Sequence, residues 1–315
     1  MALPHPIQIM GLATLPGQTH PSDPGAGVNL LITCHGCQVW FYHWPGGAMQ
    51  PPTATQGFTL STPVQRFVSI PQGAVLITPF SLHLLSMTHG LGRITQEDLP
   101  MQAGIAPNGR WFMTCPDPRD LSQVEVVIRQ LTIQPGLPIK ISLPKQVLIP
   151  TQGGEFVTFL SLDTRHMALV LRQRYRTVFH IVTRRGQYLG ALSVAVPIDR
   201  LMATRRPYRY MGLEVGNPTA LLIIDLKPFR IVRYRVDITP QWLFETTSGY
   251  GLVDAAGNSS WLNPEGQIIR RLTGLPCPTA AAQVAPGHHL WGVSEGDRSR
   301  LYSVDLTTLG LEIQP

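Results

Sequence analysis

The residues best suited to metal or redox chemistry lie together in one short motif, Cys34-His35-Gly36-Cys37. A structural zinc needs four ligands, and the chain has no second CxxC or HxxxH pair to supply the rest. Haem attachment needs a histidine directly after the second cysteine, where Gln38 stands instead. A thioredoxin-like centre needs a helix N-terminus to lower a thiol pKa, which a hairpin lacks. We therefore predict a turn with His35 and Gly36 at its tip and the cysteines facing each other. A reversible disulfide between them is the alternative.

Other catalytic motifs are absent from the sequence, which has no GxSxG elbow, HExxH pair, nucleotide-binding glycine loop or EF-hand loop. Five aspartates fall at or near predicted strand ends: Asp163, Asp225, Asp254, Asp297 and Asp305. They occupy different positions within the repeat described next, so turn capping explains them better than a shared metal site does. We therefore predict no catalytic residue, no metal ligand and no cofactor, and we expect a protein that is not an enzyme.

One apolar stretch recurs along the chain and sets its organisation. The copies read VNLLIT, AVLIT, RWFMT, HMALV, RYMGL, YGLVD and HHLWGV, and they begin at Val28, Ala74, Arg110, His166, Arg209, Tyr250 and His288. In most copies a turn signal containing glycine or proline precedes the stretch, as in Pro107-Asn108-Gly109 and Pro286-Gly287. Each copy is accompanied by three more strand-like pieces, so the unit has four strands in about 40 to 50 residues.

A unit of that length and strand number is typical of a β-propeller blade. A single four-stranded sheet cannot bury both faces, whereas sheets arranged radially bury each other and leave only short edges. A β-sandwich fits the composition but not the repeat. We therefore predict an all-β fold, a seven-bladed β-propeller with four antiparallel strands per blade. Its single domain spans 1–315, with blades at 6–64, 65–100, 101–154, 155–199, 200–240, 241–276 and 277–315.

Three places depart from a regular repeat. The stretch from Leu15 to Gly27, rich in glycine and proline, is predicted to be a long surface loop in blade one. After IKISL, the predicted fourth strand of blade three, residues 144–154 allow an extra strand or a shifted register. Blade seven is predicted to own all four of its strands, without a strand from the N-terminus.

The turns APNGRWFMT, APGHHLWGV and IPQGAVLIT resemble the proline-glycine corner that precedes a strand in the WD40-like propeller superfamily. The Gly-His and Trp-Asp signatures of true WD40 repeats are absent, as are the paired glycines of kelch repeats. The resemblance implies a diverged WD40-like propeller with a binding role, and it implies no particular partner.

The composition indicates where such a chain works. No apolar run approaches the roughly 18 to 20 residues that cross a bilayer, and the N-terminus lacks the basic leader of a signal peptide. The four cysteines are too few and too scattered for a disulfide framework. We therefore expect a cytoplasmic protein that is monomeric on its own and has no transmembrane segment.

Positive charge is concentrated in one part of the chain. From Arg165 to Arg235 there are thirteen arginines and Lys227 against three acidic residues, or +11, so the rest of the chain carries −5 of the total +6. The candidate partner-binding residues are Arg172, Arg174, Tyr175, Arg176, Arg184, Arg185, Arg205, Arg206, Tyr208, Arg209, Tyr210, Arg230, Arg233, Tyr234 and Arg235. All belong to predicted blades four and five, which are adjacent, so we expect them to merge into one basic patch.

Three interpretations of the patch compete. It is a solvated surface paired with neighbouring carboxylates, or it binds an acidic protein surface or anionic membrane as part of a scaffold. In the third, arginine and tyrosine together bind RNA or single-stranded DNA. We favour the scaffold and keep nucleic-acid binding as its alternative. A propeller hydrolase with a metal in the central funnel is a further class.

Overall fold

The computed structural model describes residues 2–3, 5–15, 28–44, 53–86, 90–119, 121–134, 137–204, 206–246, 249–285, 288–305 and 313–314. Throughout these ranges the regular structure is β-strand. Among them no helix is long and apolar enough to cross a membrane. Most of the predicted long loop from Leu15 to Gly27 lies outside the described residues.

The first half of the chain forms three sheets and one short strand, β1, that joins the last sheet. In chain order the strands are β1 (Ala2–Leu3), β2 (Ile9–Leu15), β3 (Val28–His35), β4 (Gln38–Trp44), β5 (Thr53–Thr59), β6 (Arg66–Ile70), β7 (Gly73–Ile77), β8 (Ser81–Ser86), β9 (Gly90–Gln96), β10 (Met101–Ile105), β11 (Trp111–Pro116), β12 (Gln123–Thr132), β13 (Lys140–Ile141) and β14 (Lys145–Pro150). Blade one is β2-β3-β4-β5, blade two is β6-β7-β8-β9, and blade three is built from β10 to β14.

The second half forms four more sheets. Its strands are β15 (Glu155–Ser161), β16 (His166–Gln173), β17 (Arg176–Thr183), β18 (Tyr188–Val194), β19 (Ile198–Ala203), β20 (Arg209–Glu214), β21 (Asn217–Leu226), β22 (Phe229–Arg235), β23 (Pro240–Thr246), β24 (Gly249–Asp254), β25 (Ser259–Leu262), β26 (Ile268–Leu272), β27 (Ala280–Ala285), β28 (His288–Glu295), β29 (Arg298–Asp305) and β30 (Ile313–Gln314). They build blades four to seven, each an antiparallel meander. The predicted all-β, seven-bladed fold is confirmed.

Each blade packs on both neighbours because side chains alternate along its strands. In β16, Leu169 packs against blade three while Val170, the next residue, packs against blade five. Seven apolar clusters of this kind fill the spaces between neighbouring blades, and one of them joins Leu290 of blade seven to Leu31 of blade one. Each fully buried leucine contributes about 2 kcal/mol of transfer free energy. The sheets therefore stabilise a closed ring rather than a row.

Ring closure differs from the prediction. Strand β1 pairs with β29 of blade seven through Ala2 opposite Arg300 and Leu3 opposite Ser299. Strand β30 pairs with the other part of β29, opposite Ser303 and Val304. The prediction that blade seven owns all its strands is wrong, because residues from both ends of the chain share the place of its fourth strand.

Blade three also differs from its predicted strands. The outermost strand along most of β12 is β14, whereas IKISL supplies only β13, which pairs with Leu131 and Thr132 at the far end of β12. The ten-residue β12 is long enough to pair with both, so its hairpin extends past the rest of the blade. This is the extra strand that residues 144–154 allowed.

The antiparallel meander gives the ring two different faces. We number the strands of each blade from the centre outward. The front face carries the connections from first to second and from third to fourth strand. The back face carries the connections from second to third strand and from each blade to the next. Successive turns along a blade therefore alternate between faces, and this alternation decides which charged residues lie together.

Candidate interaction surface

The Cys34-His35-Gly36-Cys37 motif is a hairpin turn between β3 and β4, but its tip is one residue later than predicted. His35 is opposite Gln38 and Cys34 is opposite Val39, so Gly36, with φ +56°, and Cys37 form the turn. The cysteines therefore do not face each other, and both are free thiols. Burial in the core between blades one and two raises the pKa of the Cys34 thiol to about 12, which makes it unreactive.

The structure divides the predicted basic patch between two faces and the perimeter. On the front face are Arg184, Arg185, Arg206, Tyr208, Arg209 and Arg230. On the back face are Arg172, Arg174, Tyr175 and Arg176. Tyr210 lies within β20, and Arg233, Tyr234 and Arg235 lie in the outermost strand β22. Arg205 lies outside the described residues. The expectation of one merged patch is wrong, because the two arginine-rich turns of blade four are successive turns.

The back-face group is mostly occupied by contacts within the protein. Arg172 lies 2.7 Å from Glu155 and 3.0 Å from Asp199, so its charge is neutralised. The Arg174 guanidinium stacks over the Tyr175 ring at 4.9 Å, and Arg176 donates a hydrogen bond to Gln152 at 2.8 Å. This group therefore presents less free positive charge than its sequence indicates.

The first two residues of β20 are also internal. Arg209 makes a two-point ion pair with Asp225, with nitrogen–oxygen distances of 2.7 and 2.9 Å, and both side chains are mostly buried. The pair raises the pKa of Arg209 and lowers that of Asp225. Tyr210 is buried, and its hydroxyl donates to the Ser161 carbonyl at 2.9 Å. Both residues hold the blade together rather than meet a partner.

Asp163 collects polar contacts at the front turn of blade four. It accepts hydrogen bonds from the Tyr208 hydroxyl of blade five and from the backbone N–H groups of Arg165 and His166. Its carboxylate also lies 2.8 Å from Nδ1 of His166. Partial burial alone would raise the pKa of Asp163, but these bonds outweigh it and hold the pKa at about 2. Asp163 is therefore a charged anchor between two blades.

Tyr208 has a backbone conformation that disfavours its side chain. Its φ is +63°, close to the +64° of Gly109, which occupies the same turn in blade three. A residue with a Cβ in this left-handed region costs about 1 to 2 kcal/mol relative to glycine. In this conformation the Tyr208 side chain reaches from blade five to Asp163 of blade four. Its aromatic ring also lies under Lys227, whose Nζ is 5.7 Å from the ring centre.

The front face carries cations on blades three to five, one blade beyond the two that were predicted. We define the basic front surface as the following residues of blades three to five: Arg110, Lys140, Lys145, Arg165, Arg184, Arg185, Arg206, Lys227 and Arg230. Lys145 joins blade three to blade four because its side chain lies against Gly186 of the blade-four turn. The described carboxylates on this part of the face are Asp163 and Asp225, and both already have partners. The three blade-three residues were missed because they stand alone in the sequence.

Metal chemistry finds no support in the described part of the chain. Within those ranges no group of three or more histidine, cysteine, aspartate or glutamate side chains is arranged to hold a metal ion. Asp254 caps its own turn through the N–H groups of Ala256 and Asn258, as expected for a turn residue.

The fold defines the class: a seven-bladed β-propeller. Comparison with solved structures agrees. A chain of a mitotic checkpoint complex matches with a TM-score of 0.63 and 8% identity over 96% of this chain and 92% of that one. The Cps50 (Swd1) propeller domain of Myceliophteria thermophila matches with a TM-score of 0.62 and 9% identity over 86% of this chain and 92% of that one. Hydrazine synthase of Kuenenia stuttgartiensis matches with a TM-score of 0.60 and 11% identity over 99% of this chain and 96% of that one.

These similarities concern the fold alone. No protein-family profile and no curated protein sequence matches this chain. One of the structural neighbours is an enzyme, so the expectation that this protein is not an enzyme stays a prediction, as does its cytoplasmic location.

Proposed function

We propose that this propeller is a non-catalytic interaction module that binds an acidic protein surface through the basic front surface of blades three to five. The observation that carries the proposal is a run of exposed cations on one face whose neighbouring carboxylates are already engaged. Arg165, Arg185, Arg206 and Arg230 are exposed, and none of them has an ion pair with a described residue.

Electrostatics explains why such a surface selects an acidic partner. Like charges that lie within about 10 Å of each other repel at physiological salt, so a patch whose neighbouring carboxylates are already engaged costs folding free energy. That cost is recovered when an opposing negative surface arrives, which also accelerates association. Guanidinium groups suit this role because each one donates two parallel hydrogen bonds to a carboxylate.

Nucleic-acid binding has less support than the sequence indicated. Single-stranded nucleic acid needs exposed aromatic rings beside the cations. Tyr208 is engaged with Asp163, Tyr210 is buried, and Tyr234 packs against Gly266 of blade six. Tyr175 is 68% exposed, but it lies on the back face. Phe229, between Lys227 and Arg230, is 46% exposed on the front face. The described part of the basic front surface therefore offers one strongly exposed ring rather than the series of stacking partners that the alternative needs.

The neighbouring structures support a binding role in general terms. One of them is a chain of a mitotic checkpoint complex, which is by name an assembly of proteins. A WD40-like ring presents broad, rigid faces, and the front turns here place long cationic side chains on such a face.

The test compares charge reversal on the two faces. One variant combines Arg184→Glu, Arg185→Glu and Arg230→Glu on the front. Its matched control combines Arg119→Glu, Arg174→Glu and Arg176→Glu in back-face turns, with the same change in net charge. Tagged proteins are used for affinity capture with mass spectrometry, with and without nuclease, and partners that survive nuclease are titrated directly.

We expect the front variant to lose at least tenfold in affinity for its protein partner, equal to about 1.4 kcal/mol or more, and the control to lose little. Equal binding by the two variants would contradict the proposal. Partners lost on nuclease treatment would indicate nucleic acid instead, and binding only to phosphatidylserine vesicles would indicate a membrane.

A further inference from the structure

The first strands of blades two to five surround a cavity of about 500 Å³ that opens on the front face. Its wall is apolar on one part, with Ile105, Phe159 and Leu201, and carries hydroxyl groups on another, with Ser69 and Thr204. A second cavity of about 470 Å³ lies behind it, on the back side of the central channel of the ring. Both volumes are in the range that encloses a small organic molecule.

Arg66 and Leu201 line both cavities, so they lie between the two. Arg66 starts on β6 of blade two and reaches past blade three to blade four, where Nη2 donates a hydrogen bond to the Phe159 carbonyl at 3.3 Å. That long bond is its one polar contact with the described residues. A guanidinium group has five N–H donors, so most of those of Arg66 have no acceptor among the described residues.

The cavity offers no counter-charge to Arg66. Among the described residues that line the front cavity there is no carboxylate, whereas Arg206 and Arg209 are two further cations, of which Arg209 is already paired with Asp225. The back cavity contains Asp199, but that carboxylate is held by Arg172 at 3.0 Å. Desolvation lowers the pKa of Arg66, which reflects the absence of a compensating anion. A largely buried cation without an anionic partner is costly to a folded protein.

We propose that the front cavity binds a small organic anion, whose carboxylate or phosphate group pairs with Arg66 while its apolar part lies against Phe159 and Leu201. The mixed wall supports an organic anion over a bare inorganic one. The site shares Arg206 with the basic front surface, but Arg66 lies inside the ring and none of the three charge-reversal positions on the front lines the cavity. The two proposals can therefore be tested separately.

Titration calorimetry and thermal unfolding test the site with defined probes: phenyl phosphate, benzoate, uncharged phenol and inorganic phosphate. The key variant is Arg66→Met, which keeps the length and bulk of the side chain and removes its charge. Arg298→Met, at an exposed back-face turn of blade seven, is the matched control. Arg206→Met is a second variant at the exposed mouth of the cavity, where the fold tolerates change.

We expect phenyl phosphate or benzoate to bind and to raise the melting temperature, with phenol at least tenfold weaker. Arg66→Met removes this binding and raises the melting temperature of the unliganded protein, since it removes a largely enclosed charge that has no anionic partner among the described residues. Arg206→Met weakens binding less, and Arg298→Met leaves it unchanged.

The proposal is overturned if phenol and phenyl phosphate bind alike, if no probe binds, or if Arg66→Met and Arg298→Met respond alike. Should Arg66→Met fail to fold, unchanged anion binding by Arg206→Met overturns it. A stronger response to phenyl phosphate than to benzoate assigns the site to phosphates, and the reverse order assigns it to carboxylates. The front charge-reversal variant retains probe binding in either case, so failure of this site and failure of the proposed function are distinguishable.

Discussion

The hydroxyl of Tyr208 in blade five donates a hydrogen bond to the carboxylate of Asp163 in blade four, with 2.5 Å between the oxygens. The two residues belong to equivalent front turns of adjacent blades. Tyr208 takes the turn position that Gly109 takes in blade three. A strained tyrosine thus stands where blade three has glycine, and its side chain crosses the boundary between blades four and five. This hydrogen bond ties neighbouring front turns of the two blades together.

Tyr208→Phe is expected to destabilise the protein by roughly 1 kcal/mol at pH 7, because it removes a hydrogen bond to a charged, partly exposed group. The pKa of Asp163 is about 2 in the folded protein, below its unfolded value of about 3.9. A depressed carboxyl pKa stabilises the fold above the unfolded pKa, and this contribution is lost as the pH falls through the folded pKa. The difference between the two proteins should therefore shrink between pH 4 and pH 2.

Urea denaturation at several pH values measures this difference. Tyr234→Phe, in the outermost strand of the same blade, is the control and should show no such pH dependence. A Tyr208→Phe effect that is constant from pH 7 to pH 2 would show that the hydroxyl does not act through Asp163.

Arg209→Met is expected to destabilise the protein by about 3 kcal/mol, because it leaves the mostly buried Asp225 carboxylate without its partner. The double variant Arg209→Met with Asp225→Leu should recover much of this loss, since no buried charge remains. Thermal and urea unfolding measure the three proteins. Arg119→Met breaks a solvent-exposed pair with Asp117 and should change stability by less than about 1 kcal/mol. Equal effects at both sites would refute the view that burial sets the strength of the pair.

Leu3→Ala is expected to cost about 2 to 3 kcal/mol, because Leu3 is 3% exposed in the cluster that joins blade seven to blade one. Hydrogen exchange should accelerate first at Ser299 and Arg300, the partners of β1. Leu99→Ala, where the side chain is 72% exposed, should have little effect. If Leu3→Ala accelerates exchange no more in blade seven than in blade four, β1 does not close the ring.

The repeat made the ring predictable because period, turn residues and strand alternation are all local properties. The recurring stretch from His166, for example, becomes β16, and its alternating side chains become two interblade cores. Closure was not predictable in this way. Ala2 and Leu3 are too short a segment to carry a strand pattern, and only the open edge of β29 shows where they belong.

The surface was predicted less well than the ring. Nearness in sequence placed Arg172 to Arg176 and Arg184 to Arg185 in one patch, although one strand separates them and an antiparallel strand carries the chain to the opposite face. Arg66 gave no signal at all. It is one cation in a short strand, and its isolation depends on residues of blades three and four that are far away in sequence.

The lysines have an unusual placement. The chain contains three, Lys140, Lys145 and Lys227, and all belong to the basic front surface. Side-chain amines are therefore confined to one side of the disc. Amine-reactive cross-linkers will report on complexes formed at that side and stay silent about the other, and a sensor chip coupled through lysine will hide the very residues a partner would need.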